Sequence, residues 1–174
     1  MRRIAIFALS LLLSACATIP RLEASNDLHA FLVAIRDGDR AAFDAHVDRP
    51  ALKAQLRSRL LAEAAGANGA ASASTLGALL AGPLVDFGVD TLARPEVFRA
   101  IAIELGYDVA RPLPNALALA PFVRPLDSGR ACVITKKNGP CILIFKDEAG
   151  TWKLIGFEGR IGLGKGGKLA LSAL

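Results

Sequence analysis

The chain has 174 residues, a formal net charge of +5 and three cysteines. This length suits one domain of ordinary size with a sizeable core and leaves no need for a second. One Trp and one Tyr give little to stack on bases, which argues against a nucleic-acid partner.

The chain opens MRRIAIFALSLLLSACATIP, with Arg2 and Arg3 ahead of an uncharged apolar run from Ile4 to Leu13. That is the layout of a secretory signal peptide. The run is half of the roughly 20 apolar residues a spanning helix needs. Leu13-Ser14-Ala15-Cys16 resembles the lipobox of bacterial lipoproteins: an apolar residue, two small ones, then cysteine. The resemblance implies cleavage before Cys16, a diacylglyceryl group on its thiol and acylation of the new amino terminus. Two or more acyl chains anchor a protein stably where a single chain does not. Ala17 follows, and without an aspartate there the sorting of lipoproteins implies the outer membrane, with the protein facing the periplasm. The expected organisation is a signal peptide over 1–15, a tether over 16–24, one α+β domain over 25–160 and a Gly/Lys-rich tail over 161–174.

Loss of the signal lowers the net charge to +3. Residues 16–129 carry 11 Lys/Arg against 13 Asp/Glu, whereas residues 130–174 carry 8 against 3. The basic C-terminal region can meet an anionic lipid or another envelope component; equally, its charge can serve only to keep an apolar sheet soluble.

SNDLHAFLVAIRDGD reads as a helix capped by Ser25 or Asn26. Leu28, Phe31, Leu32 and Ile35 recur at helical spacing, and Gly38 is placed to stop it. Asp39 opens a short helix with Phe43 and Val47. Asp48 and Pro50 begin a third, with Leu52, Leu56 and Leu60 on one stripe and Lys53, Arg57 and Arg59 on its polar side. GANGAASAS over 66–74 reads as a loop. A further helix over 75–92 is expected to bury Leu76, Leu80, Leu84 and Phe87 and to turn Asp86 and Asp90 to water. Pro95 starts a helix with Val97, Phe98, Ile101 and Leu105 inward and Gly106 as its stop. A proline-rich connector follows.

From there the period changes. Residues 131–135 (ACVIT), 141–145 (CILIF) and 151–157 (TWKLIGF) are β-rich runs separated by KKNGP and KDEAG, which predicts an antiparallel meander. ALAPFVRPL is a candidate strand before them. Helices first and strands last define an α+β domain, the helices on one face of the sheet. The tail RIGLGKGGKLALSAL either returns as a strand or stays loose.

AIRDGDRAAFDAHVDRPALKAQLRSRL, LGALLAGPLVDFGVDTLARPEVFRAI and the late Trp152-Lys153-Leu154 resemble an uncharacterised family of secreted bacterial proteins of the DUF2939 type. The resemblance spans most of residues 28–157. More loosely, helices followed by a sheet ending in W-K-L are similar to cystatin-like and nuclear-transport-factor-like folds. The family implies no catalytic residues.

Candidate sites are few. GLGKGGKL over 162–169 has the spacing G-x-G-x-x-G, but a phosphate loop follows a strand and opens a helix. Here Leu169 stands where a Ser or Thr would hold magnesium, so no nucleotide is expected. His29 and His46 have no metal-ligand spacing with Cys, Asp or Glu, and no cofactor or metal is expected. Cys132 and Cys141 flank one turn, and two geometries are open. A two-residue turn at Asn138-Gly139 sets Cys132 opposite Phe145 and keeps the thiols apart. A longer loop is equally open, because Pro140 has no N–H to close the short turn, and could set them opposite each other as a disulfide; otherwise they are two buried free thiols. The reading is a lipid-anchored, periplasm-facing module that binds or supports an assembly without catalysis. The alternative is an enzyme with an unrecognised acid-base site in a helix-sheet cavity.

Overall fold

The computed structural model describes residues 18–66, 82–83, 85–104, 106–108, 110–136, 138–158, 160–163 and 169–172. The helices are α1 (Thr18–Asp37), α2 (Arg40–Ala45), α3 (Arg49–Gly66), α4 (85–92), α5 (Pro95–Glu104) and α6 (Ala116–Leu119). A 3-10 turn (Ala120–Phe122) leads into strands β1 (Val123–Pro125), β2 (Arg130–Ile134), β3 (Cys141–Glu148) and β4 (Thr151–Phe157). These four form an antiparallel sheet in sequence order, and β5 (Arg160–Leu163) pairs with β6 (Leu169–Ser172) in a separate hairpin. The domain is therefore α+β, with the helices first and the sheet last.

Helix α1 begins at Thr18, so residues 18–24 of the expected tether are helical. Ser25 is not its cap. It is fully buried, and its hydroxyl donates to the Arg21 carbonyl at 2.6 Å one turn back, which satisfies a polar group that would otherwise be costly there. At the other end Gly38 takes φ +69°, and the Asp39 N–H reaches the Ala34 carbonyl at 3.0 Å, a helix end that favours glycine. The Asp39 carboxylate then accepts the Ala42 N–H, and that of Asp48 accepts the Ala51 N–H, so each aspartate caps the helix that follows it.

Ala24, Leu28, Phe31, Ala34 and Ile35 of α1 are buried against the sheet. Phe31 is the hub: its ring lies 5.3 Å from Phe43, 5.9 Å from Phe98 and 5.7 Å from Phe145, joining three helices to β3. Helix α4 differs from expectation. It buries Val85 and Val89, while Phe87 is 71% exposed. Each residue turns a helix by about 100°, so a stripe read two positions along points away from the core. Leu76, Leu80 and Leu84 lie outside the described residues.

The runs ACVIT and CILIF lack strict alternation because both faces of the sheet are covered. Ala131, Val133, Leu143 and Phe145 face the helices. Cys132, Ile134, Cys141 and Ile144 form a second buried cluster with Leu126 and Ile155. A bulge in β3 sets this parity: Val133 pairs with Leu143 and Ile134 with Cys141, which leaves Ile142 extra. Without it Cys141 would share a face with Leu143.

The outer edge of β4 is closed by polar groups from the helices. The Trp152 N–H donates to Asp27 Oδ2 at 2.7 Å. The Leu154 N–H donates to the His46 carbonyl at 2.8 Å, and the Leu154 carbonyl accepts the Asp48 N–H at 3.0 Å, so Val47 pairs with Leu154 as a one-residue parallel strand. A second bulge, between Ile144 and Phe145, shifts the pairing with β4 and puts the Phe157 backbone on the same edge. There it meets Gln55 and Arg59. An open edge invites pairing with other chains, and this one is filled.

Candidate functional site

Cys16 lies outside the described residues, as do residues 164–168 of the glycine run. Strands β5 and β6 flank that run, so it leads into a strand, where a phosphate loop needs a helix N-terminus.

Cys132 and Cys141 are joined as a disulfide with a Cα–Cα distance of 5.6 Å. Neither turn geometry considered from the sequence describes how they meet. The Gly139 N–H closes on the Lys136 carbonyl at 2.7 Å, with Asn138 at φ 63° inside the turn, so the turn is centred one residue earlier than Asn138-Gly139. Cys132 lies opposite Ile144, and Cys141 lies opposite Ile134. The two are diagonal neighbours, brought to one face by the bulge at Ile142. The Arg124 guanidinium donates to Cys132 Sγ at 3.8 Å. Both cysteines are buried.

Asp86 and Asp90 do not simply face water. Half exposed, they meet the basic side of α3: Lys53 Nζ is 2.9 Å from Asp90 and 3.8 Å from Asp86, Arg57 is 3.3 Å from Asp86, and Arg49 is 3.8 Å from Asp90. Arg49 also holds Asp44 at 2.6 Å and the Ala93 carbonyl at 2.8 Å. Their i, i+4 spacing borders the Val85 and Val89 stripe, which carries both carboxylates to the helix-helix boundary. Arg59, grouped with this side by sequence, turns instead to β4.

The histidines are tied to backbone. His29 Nδ1 lies 2.9 Å from the Pro114 carbonyl, an acceptor that fixes the proton on that nitrogen. His46 Nδ1 lies 3.4 Å from the Trp152 carbonyl. Among the described residues, no group of three His, Cys, Asp or Glu could hold a metal, and no buried side-chain nitrogen or oxygen lacks a hydrogen-bond partner. Part of the basic excess after residue 130 is balanced locally: Arg130 pairs with Asp127 at 2.6 Å, and Lys153 with Glu148 at 3.1 Å. At the end of α1, Arg36 donates to Asp37 at 2.7 and 2.9 Å. This bond, and then the positive charge, holds the Asp37 carboxyl below its ordinary range.

Sequence reasoning did not single out Asp27 or Gln55. Their partners are backbone groups 125 and 102 residues away, and no local pattern announces such a pairing.

The fold and these contacts define a small α+β domain whose polar side chains are largely spent on joining helices to one another and to the sheet. The profile of a family described as "Protein of unknown function (DUF2939)" matches residues 9–101, more than half of the chain, and the chain belongs to that family. The match ends within α5, so the sheet and the W-K-L of β4 lie beyond it. No curated protein and no solved structure matches the chain.

Proposed function

We propose that the protein is a lipid-anchored component of the bacterial envelope, held in the outer membrane by an acylated Cys16 and facing the periplasm, and that its α+β domain is a non-catalytic binding or structural module. Cysteine usage carries the reading. Of three cysteines, Cys132 and Cys141 are joined to each other, which leaves Cys16, at the end of Leu13-Ser14-Ala15-Cys16, for a separate covalent fate. A disulfide also fits an oxidising compartment. The engagement of His29, His46, Asp86 and Asp90 in structural contacts supports a role in binding or assembly. The partner in this reading is an envelope protein or an anionic lipid met by the basic C-terminal region.

The test is intact mass and membrane fractionation of the full chain made in a lipoprotein-processing bacterium, beside Cys16→Ser. The expected result is a wild type that starts at residue 16, carries acyl chains and fractionates with the outer membrane, and a variant that does neither. Unmodified, released wild type overturns the anchor.

A further inference from the structure

We infer that the domain is seated end-on against the bilayer that holds Cys16, with the first described turns of α1 at headgroup level and a link of only two residues between the acylation site and that helix. This rests on the acylation of Cys16. Helix α1 starts at Thr18, two residues after the acylation site, and two residues reach at most about 7 Å in any conformation. That is about the depth of one headgroup layer, from a bilayer of roughly 40–45 Å with a hydrocarbon core of roughly 30 Å.

The helix is then committed to the domain almost at once. Ala24, Ser25 and Leu28 are 3%, 0% and 3% exposed, so α1 is docked in the core from residue 24 onward. Only residues 18–23 separate the buried part of α1 from the two-residue link, and at 1.5 Å per residue they add about 9 Å. The core therefore begins within about 16 Å of the acylated residue. A rigid helix, not a loose chain, sets that distance.

What α1 presents at this level is mixed: Arg21, Leu22 and Glu23 are exposed, and Leu22 is 41% exposed despite being a large apolar residue. Arg21 and Glu23 offset each other in charge, so the contact does not depend on an anionic surface. The anchor imposes it, and Leu22 gains an apolar boundary there. Among the described residues no helix is long and apolar enough to cross a membrane, so α1 rests on the bilayer and does not enter it as a span. A partner of this domain must therefore come to the membrane surface.

The experiment uses the full acylated protein in vesicles of phosphatidylethanolamine and phosphatidylglycerol. An environment-sensitive fluorophore is attached at Leu22→Cys or, as the comparison, at Asp37→Cys, which is exposed at the far end of the same helix. Fifteen residues along α1 separate these sites by about 22 Å. The expected result is a blue-shifted emission at Leu22, quenched by lipid carrying a headgroup spin label, and a water-like, unquenched emission at Asp37. A flexible Gly/Ser linker inserted between Ala17 and Thr18 should keep the acyl chains, as read by intact mass, and return the Leu22 emission to its value in water. Acylated protein with both labels in water overturns the seating and leaves the anchor standing. Shielding of both labels overturns the end-on geometry, and shielding of Leu22 that survives the linker shows that the short link does not cause it. Shielding in native membranes but not in pure lipid assigns the surface to a protein partner and also overturns the inference. Wild type that mass shows to be unacylated overturns anchor and seating together.

Discussion

The side-chain amide of Gln55 hydrogen-bonds both backbone groups of Phe157: Nε2 donates to the carbonyl and Oε1 accepts the N–H, each at 2.9 Å. One side chain thus stands in for a neighbouring strand at the end of β4. The close approach needs Gly156, where a Cβ would sit 2.8 Å from Gln55 Nε2. Gln55→Leu should lower stability by about 1–3 kcal/mol, since it strands the Phe157 N–H in a partly buried place, while the Phe157 carbonyl keeps the guanidinium of Arg59. Gly156→Ala should act in the same direction by displacing the amide. Chemical denaturation measures both, and an unchanged midpoint in Gln55→Leu would refute the role given to this contact.

Phe31 and Phe87 form a contrasting pair. Phe31 is 1% exposed and touches three other rings, so Phe31→Ala should cost about 3–5 kcal/mol. Phe87 is 71% exposed, and Phe87→Ser should stay within about 0.5 kcal/mol of wild type. The same denaturation series ranks them.

The disulfide closes a small ring, with a sequence separation of 9 between Cys132 and Cys141. Loop-closure entropy assigns it about 2–3 kcal/mol. Reductant should therefore lower the Tm of wild type and leave that of the Cys132→Ser/Cys141→Ser double variant unmoved. Thiol labelling of the unfolded chain, before and after reduction, counts the cysteines involved.

Lys53, Arg57 and Arg49 hold Asp86 and Asp90 at a surface open to solvent, where ion pairs contribute little singly and are screened by salt. Asp90→Asn should cost about 0.2–1 kcal/mol at low ionic strength. The difference from wild type should shrink in high salt, as denaturation at two salt concentrations would show.

At Asp37 the hydrogen bond from Arg36 depresses the carboxyl pKa. A depressed folded-state pKa contributes stability above the ordinary carboxylate range, and that contribution fades as pH falls through the folded value. The pair lies at the solvent-facing surface, so the readout is titration by NMR and not stability. The Asp37 midpoint should lie below the ordinary value and rise in Arg36→Gln.

Much of the architecture is legible in the sequence because it rests on local chemistry. Gly38, Asp39 and Asp48 punctuate the first three helices through their own backbone conformation and side-chain caps. The β-rich runs mark β2, β3 and β4 to within a few residues. What escapes is set by distant partners. The N-terminal turns of α1 look polar enough for a tether, and only docking against the core from Ala24 onward shows why the helix begins so early. The face of α4 is decided by which neighbour Val85 and Val89 meet. The pairing of Cys132 with Cys141 turns on one extra residue, Ile142, whose insertion changes no composition or hydropathy signal.

The closed edge of β4 also bears on what counts as the folding unit. Asp27, the backbone at 46–48 and Gln55 find their partners at Trp152, Leu154 and Phe157. The family profile stops at residue 101, before any of those partners. A fragment cut to the matched region would keep its helices' caps and lose the surface on which they settle. The stretch by which the family is recognised is thus shorter than the stretch that must be synthesised before any of it can hold its shape.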